Sequence, residues 1–144
     1  MSRMIFVNLP VADLRRSLAF YRAVGATPDP RFCDDSAAAV SFSDTIHAML
    51  LTQERFAGFT ERRIVDAHKD AQVLICLSED SREAVDARVA SAVAAGGAGD
   101  PNPTQDFGFM YGRSYADPDG HIWEAMWMDV DAAMAAGASQ AEPA

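Results

Sequence analysis

The carboxylate of Glu124 is the group in this sequence with the clearest potential for chemistry, because it lies in an otherwise apolar stretch. It belongs to the run Ile122–Met128, which follows a turn sequence at residues 117–120. Side chains alternate along a strand, so Glu124 shares its face with Ile122 and Met126. A buried carboxylate needs a proton, a hydrogen-bonding partner or a metal ion. Glu124 is therefore the candidate catalytic residue, either as a metal ligand or as a general base.

Polar and adaptable side chains on two predicted strands are candidates to contact a ligand in a cleft. Asn8 lies on a predicted strand near the amino terminus, and Ser114 lies on one near the carboxyl terminus. Clefts orient their ligands with a few polar groups among apolar ones, so both are candidate hydrogen-bond partners. Met110 and Gly112 share the face of Ser114, where they would supply an adaptable wall and open space. The alternative is that Asn8 and Ser114 only satisfy backbone groups or water.

Arg113 is the charged residue that is hardest to place. By alternation it would share a face with Tyr111 and Tyr115, where a buried guanidinium would be costly. Either a β-bulge shifts the register, or Arg113 lies at a boundary between halves or subunits. A salt bridge from Arg113 to Glu124 would give that carboxylate a structural role.

Composition narrows the class of protein. The chain of 144 residues fits one domain with a real core. Its net charge of −9 argues against a nucleic-acid partner, and no apolar run is long enough to span a membrane. The two cysteines, Cys33 and Cys76, form neither a disulfide framework nor a zinc pattern. They fit a reducing compartment, so we expect a cytoplasmic protein.

The elements that position these residues follow one order in both halves. Each half predicts a strand, a helix capped by Asp or Ser, a glycine stop and three further strands. The first half has strands at residues 4–9 (ended by Pro10), 31–34, 37–43 and 46–52, a helix from Asp13 to Gly25 and a connector at 28–30. The second has strands at 73–77, 100–105, 109–115 and 122–128 and a helix at 82–95.

This duplication predicts an α+β fold with two βαβββ modules that form an open cleft. The boundaries are a single domain at residues 1–130, with module one at about 4–52, a charged linker at 53–70 and module two at about 71–128. Residues 131–144 are expected to form a frayed helix and a flexible tail.

The motifs of both halves resemble the glyoxalase/bleomycin resistance protein/extradiol dioxygenase group, the vicinal oxygen chelate superfamily. They are the run at residues 9–14 leading to Ser17 and to Phe20 and Tyr21, the glycine at Gly25, and residues 117–120 before Glu124. The run 105–113, taken together with 120–124, looks most like an uncharacterised glyoxalase-like subgroup. The resemblance implies the fold and a homodimer, but it does not imply one activity.

The resemblance also implies where metal ligands would lie. Metal-using members hold a divalent ion with four inward side chains, which correspond here to Phe6, Leu50, Gln72 and Glu124. Phe6 and Leu50 cannot coordinate a metal, so we assign them to the wall of the ligand cleft. Gln72 and Glu124 remain as candidate ligands for zinc, nickel, iron or manganese, a poor set for a transition metal. The arginine that holds glutathione in some members corresponds to Pro10, which counts against a true lactoylglutathione lyase.

The three histidines are not expected to complete a metal site. His121 follows the turn on the face opposite Glu124 and is expected to form hydrogen bonds at an edge. His47 has the opposite parity to Leu50, so it is expected to point away from the cleft. His68 lies in the charged linker and would reach a site only if the linker folded over it.

Two functional classes follow. The first is a metal-free protein that binds a small hydrophobic molecule in the cleft between the modules. The alternative is a divalent-metal-dependent lyase or dioxygenase with Glu124 as ligand or base. The incomplete ligand set favours the binder, and Glu124 with Gln72 keeps the enzyme possible.

Overall fold

Two open sheets, one from each half of the chain, form the framework of the computed structural model, which describes residues 2–137. Sheet one has the strand order β1-β4-β3-β2, in which β1 and β4 are parallel and the other pairs are antiparallel. Its elements are β1 (Ile5–Val11), α1 (Leu14–Ala23), β2 (Thr27–Cys33), β3 (Ala37–Ser41) and β4 (Ile46–Thr52).

The second half repeats this plan after the short helix α2 (Gln53–Ala57) and an irregular linker. Sheet two has the order β5-β9-β8-β6, and β7 also pairs with β8. Its elements are β5 (Ile75–Ser78), α3 (Arg82–Ala94), β6 (Ala98–Gly99), β7 (Gln105–Asp106), β8 (Met110–Ala116) and β9 (Ile122–Met128). The helix α4 (Val130–Ala135) follows. The predicted pair of βαβββ modules is confirmed.

Local signals placed both long helices correctly. The side chains of Asp13 and Ser81 accept hydrogen bonds from Arg16 N and Ala84 N, at 3.0 Å each. Beyond both helices, Gly25 and Gly96 have a φ of 99°, a conformation that glycine adopts without strain.

Three predicted boundaries are wrong. β1 continues through Pro10 to Val11. Among residues 2–137 it is an edge strand that pairs with β4 alone, and a proline there need not interrupt the ladder. The expected connector at 28–30 belongs to β2. Of the expected strand at 100–105, only Gln105 lies in a strand, as the first residue of β7, and residues 100–104 are irregular. Of the expected frayed helix and tail at 131–144, residues 131–135 belong to the helix α4, and residues 138–144 lie outside the described residues. Within residues 2–137, no helix is long and apolar enough to cross a membrane.

One apolar core joins the two modules. Leu9, Val40 and Leu50 of sheet one lie against α1, and Val89 of α3 and Trp123 of β9 belong to the same cluster. Helices α1 and α3 also contact each other. The core therefore lies between the helices and the helix-covered faces of the sheets, while the opposite faces stay open.

A buried hydrogen-bond junction fixes module two onto module one. The Tyr21 hydroxyl donates to the Asp117 carboxylate at 2.6 Å, and Trp123 Nε1 donates to the Tyr21 oxygen at 2.9 Å. The backbone N–H groups of Asp119 and His121 also donate to Asp117, at 2.9 and 2.8 Å. Burial raises the pKa of Tyr21, so the phenol keeps the proton that it donates.

The structure gives Arg113 ion-pair partners that alternation along β8 did not predict. The pairing of β8 with β9 is continuous from Met110 to Ala116, so no bulge shifts the register. The guanidinium lies on the α3 side, where it pairs with Asp86 at 2.9 Å and with Asp100 at 2.7 Å. These carboxylates, with the hydrogen bonds they accept, raise the pKa of Arg113. Arg113 therefore anchors β8 to α3 and to the segment after β6, and does not pair with Glu124.

We predict that Tyr21→Phe lowers the free energy of unfolding by about 3 kcal/mol, because it leaves Asp117 and the Trp123 N–H short of a partner in a buried place. Chemical denaturation monitored by circular dichroism measures this loss. Tyr115→Phe is the matched control, since the Tyr115 side chain is also buried but makes no hydrogen bond within residues 2–137. Equal losses of unfolding free energy in the two variants would show that the hydrogen bonds of the Tyr21 hydroxyl add no stability beyond that of a buried hydroxyl without them.

Candidate functional site

Four of the predicted site residues meet in a small pocket on the open face of sheet two. Glu124 pairs with Ser114 on one side and with Cys76 on the other, and Gly112 pairs with Met126. A cavity of about 80 Å³, which we call the Glu124 pocket, is lined by residues that include Met110, Gly112, Ser114 and Glu124. This volume is well below the roughly 300–1,000 Å³ of typical ligand pockets.

The Ser114 hydroxyl is already engaged within the chain. It accepts a hydrogen bond from Asn102 N at 2.9 Å and donates to Asn102 O at 3.4 Å, and the residue is 1% exposed. It therefore holds the segment between β6 and β7 against β8. The Glu124 carboxylate, by contrast, forms no hydrogen bond or ion pair within the described part of the chain.

A larger cavity lies between the modules. It has a volume of about 500 Å³ and is bounded by β1, by the beginnings of β5 and β9, and by linker residues 62–73. We call it the linker cavity. Its apolar lining includes Leu9, Pro10, Phe56, Ile64, Val65, Val73, Ile75 and Ile122.

Two predicted site residues, Asn8 and Gln72, meet in the linker cavity. Neither side-chain amide makes a hydrogen bond within residues 2–137, so both remain available to a ligand. His121 also lines the cavity, and its Nε2 lies 2.7 Å from Pro10 O. The expected hydrogen-bonding role of His121 is therefore observed, between the turn and β1.

Phe6 and Leu50 do not share the cleft as expected. The register pairs Phe6 with His47 and Leu9 with Leu50, so residues 6 and 50 lie on opposite faces of sheet one. Leu50 is fully buried in the core, whereas Phe6 is 52% exposed and stacks on His47 with ring centroids 4.9 Å apart. His47 lies on the face opposite Leu50, as its parity indicated, and Met49 shares the open face with Phe6 and His47.

The side chains at the implied ligand positions do not fit a divalent metal. Gln72 lines the linker cavity and Glu124 lines the Glu124 pocket, while Phe6 and Leu50 carry no donor atom. Across residues 2–137, no group of three or more His, Cys, Asp or Glu side chains is arranged to hold an ion. Structural and catalytic zinc sites need at least three protein ligands.

The linker is the part of the site that sequence reasoning missed. It was expected to be an exposed connector, yet residues 62–70 of the linker, with residues 71–73 that follow it, form one wall of the cavity. Gly120 permits this path: it has a φ of 93°, and a Cβ there would lie 2.6 Å from His68 N. The apolar residues Ile64 and Val65 within the charged linker were the available signal.

Comparisons with known proteins show the family of the chain and solved structures with a similar fold. Residues 3–125 match the family model described as the Glyoxalase/Bleomycin resistance protein/Dioxygenase superfamily. A hypothetical protein from S. aureus, SA1046, is 26% identical with a TM-score of 0.73 over 88% of this chain and 94% of that one. A family enzyme from Burkholderia phytofirmans is 20% identical with a TM-score of 0.70 over 88% and 99%. TnmS3, an antibiotic binding protein from Streptomyces, is 18% identical with a TM-score of 0.62 over 90% and 98%. No curated protein matches the chain.

We predict that the purified chain does not bind zinc, nickel, iron(II) or manganese tightly, because the implied ligand positions provide only one carboxylate and one distant amide. Elemental analysis and calorimetric titration with each ion measure this. Glu124→Ala is the companion variant. Binding of one ion per chain that disappears in Glu124→Ala would contradict the prediction.

Proposed function

Because the chain belongs to the glyoxalase/bleomycin resistance protein/dioxygenase superfamily, we propose that it is a metal-free binding protein for a small, mainly apolar molecule. The molecule occupies the linker cavity between the modules. The observation that carries this proposal is the cavity itself, whose volume of about 500 Å³ falls in the range of known ligand pockets.

The lining of the cavity supports this choice of ligand. Its apolar side chains come from β1, α2, the linker, β5 and β9, so a ligand would contact both modules. The free amides of Asn8 and Gln72 offer donors and acceptors that would orient it. An apolar body with a few polar groups is the chemistry that such a lining selects.

A solved structure with a similar fold belongs to a binding protein. TnmS3 from Streptomyces is described as an antibiotic binding protein. At 18% identity this likeness concerns the fold and does not identify the ligand here.

The alternative, a lyase or dioxygenase that uses Glu124 as metal ligand or base, ranks second. Its supporting observation is that the Glu124 carboxylate has no partner within the described residues and lines two small cavities, of about 180 and 80 Å³. Both are below the usual size of ligand pockets. The side chains at the positions implied for metal ligands also do not fit an ion.

We further propose a homodimer in the cytoplasm. Ile5, Phe6, Val73 and Leu74 are each more than half exposed, and a second copy of the chain would cover apolar side chains of this kind. The free thiols Cys33 and Cys76 suit a reducing compartment. Analytical ultracentrifugation tests the assembly, and a monomer at micromolar concentration would refute it.

We predict that N-phenyl-1-naphthylamine, a neutral apolar fluorophore, binds the folded chain and raises its melting temperature. Ala71→Trp places an indole against the linker cavity, so it should weaken this binding about tenfold or more. Direct fluorescence titration of the probe measures the affinity. Ala90→Trp is the matched control, because Ala90 is exposed on α3 and lines no cavity described above. Failure of the probe to bind, or equal loss in both variants, would reject the linker cavity as the binding site.

A further inference from the structure

We propose that the ligand of the linker cavity is an organic anion, an apolar body that carries a carboxylate or sulfonate bound by Arg62 and Arg63. This inference rests on the proposed binding function and specifies the chemical class of its ligand. Both arginines line the cavity, next to one another in the linker.

Neither guanidinium forms an ion pair within residues 2–137, although both line a cavity that a ligand could enter. The arginines that do form ion pairs are Arg16 with Asp119, Arg31 with Asp29, Arg82 with Asp106, Arg88 with Glu79, and Arg113 with both Asp86 and Asp100. Arg62 and Arg63 therefore present two guanidinium groups without a carboxylate partner at the wall of the linker cavity.

The protein is acidic overall, so two neighbouring arginines without an acidic partner are unexpected. The chain has 21 acidic residues against 12 lysines and arginines, so acidic partners are plentiful. One carboxylate, that of Asp70, does line the cavity, but it lies beyond ion-pair distance of both guanidinium groups. The local balance of the lining is therefore positive in a protein whose net charge is −9.

The neighbouring surface would strengthen contact with an anion. Ile64 and Val65 follow the two arginines directly and line the same wall, so an apolar body held there would displace water from around the guanidinium groups. A guanidinium binds a carboxylate or sulfonate through paired N–H donors, and this contact gains strength where water is excluded. The amides of Asn8 and Gln72 can donate to the remaining acceptor atoms.

Two fluorescent probes with one skeleton test the inference. 8-Anilinonaphthalene-1-sulfonate carries the sulfonate that N-phenyl-1-naphthylamine lacks, so their ratio of affinities reports the contribution of the anion. We expect the sulfonate probe to bind the wild-type chain about tenfold more tightly than the neutral probe. Arg62→Gln/Arg63→Gln should abolish this preference, so that the ratio of the two affinities in this variant falls to about one.

The control is Arg15→Gln/Arg22→Gln, which removes two positive charges from exposed positions on α1 that do not line the cavity. It should keep the preference for the sulfonate. Near-ultraviolet circular dichroism verifies that every variant is folded, since the probes also bind partly folded chains.

The outcomes separate this inference from the function on which it rests. Equal affinity of the two probes, or a preference that survives in the Arg62→Gln/Arg63→Gln variant, overturns the anionic ligand while the apolar site stands. An equal loss in both double variants also overturns it, because net charge would then be the cause. If neither probe binds, the proposed function itself has failed.

Discussion

The hydrogen bond from the Tyr21 hydroxyl to the Asp117 carboxylate is the contact on which the relation between the two modules depends. It connects α1 of module one to the turn before β9 of module two, inside a core from which water is excluded. Burial raises the pKa of Asp117 above its usual range, and the nearby His121 and the hydrogen bonds that the carboxylate accepts act in the opposite direction. A carboxylate in this position needs every one of its donors, so the modules cannot separate or slide without exposing an unpaired group.

The same turn carries this constraint outward to the site. Asp119 accepts a hydrogen bond from Ala12 N at 2.8 Å and one from the Ser17 hydroxyl at 3.2 Å, which holds the beginning of α1. His121 contacts the carbonyl of Pro10 on β1. The space between β1 and β9 is thus set by short polar contacts at its edge, and the apolar residues farther inside need not fill it. A cavity at this place follows from the way in which the modules are joined.

Glycine at position 120 determines what closes the cavity. The linker passes so close to the turn that a side chain there would collide with the backbone of residues 67 and 68. The linker consequently lies over the gap between the modules and brings Arg62 and Arg63 to its wall. Two of the positions that the family resemblance implies for metal ligands carry apolar side chains in this chain, whereas the space between its modules is large enough for a ligand.

The sequence by itself determined the class of fold and most of its elements, because those signals are local. Caps at Asp13 and Ser81, glycine stops and the alternation along β9 act within a few residues, and the repeated order of elements indicated two modules. Within one strand, alternation also grouped Met110, Gly112 and Ser114 with one another correctly. Parity within one strand does not specify its register against the neighbouring strand. Only the tertiary structure therefore decided which residues of neighbouring strands share a face. Phe6 and Leu50 were separated by that register, and Arg113 received its partners from α3. The linker cavity was beyond local reasoning altogether, because its walls come from segments up to about a hundred residues apart that meet only when both modules pack on one core.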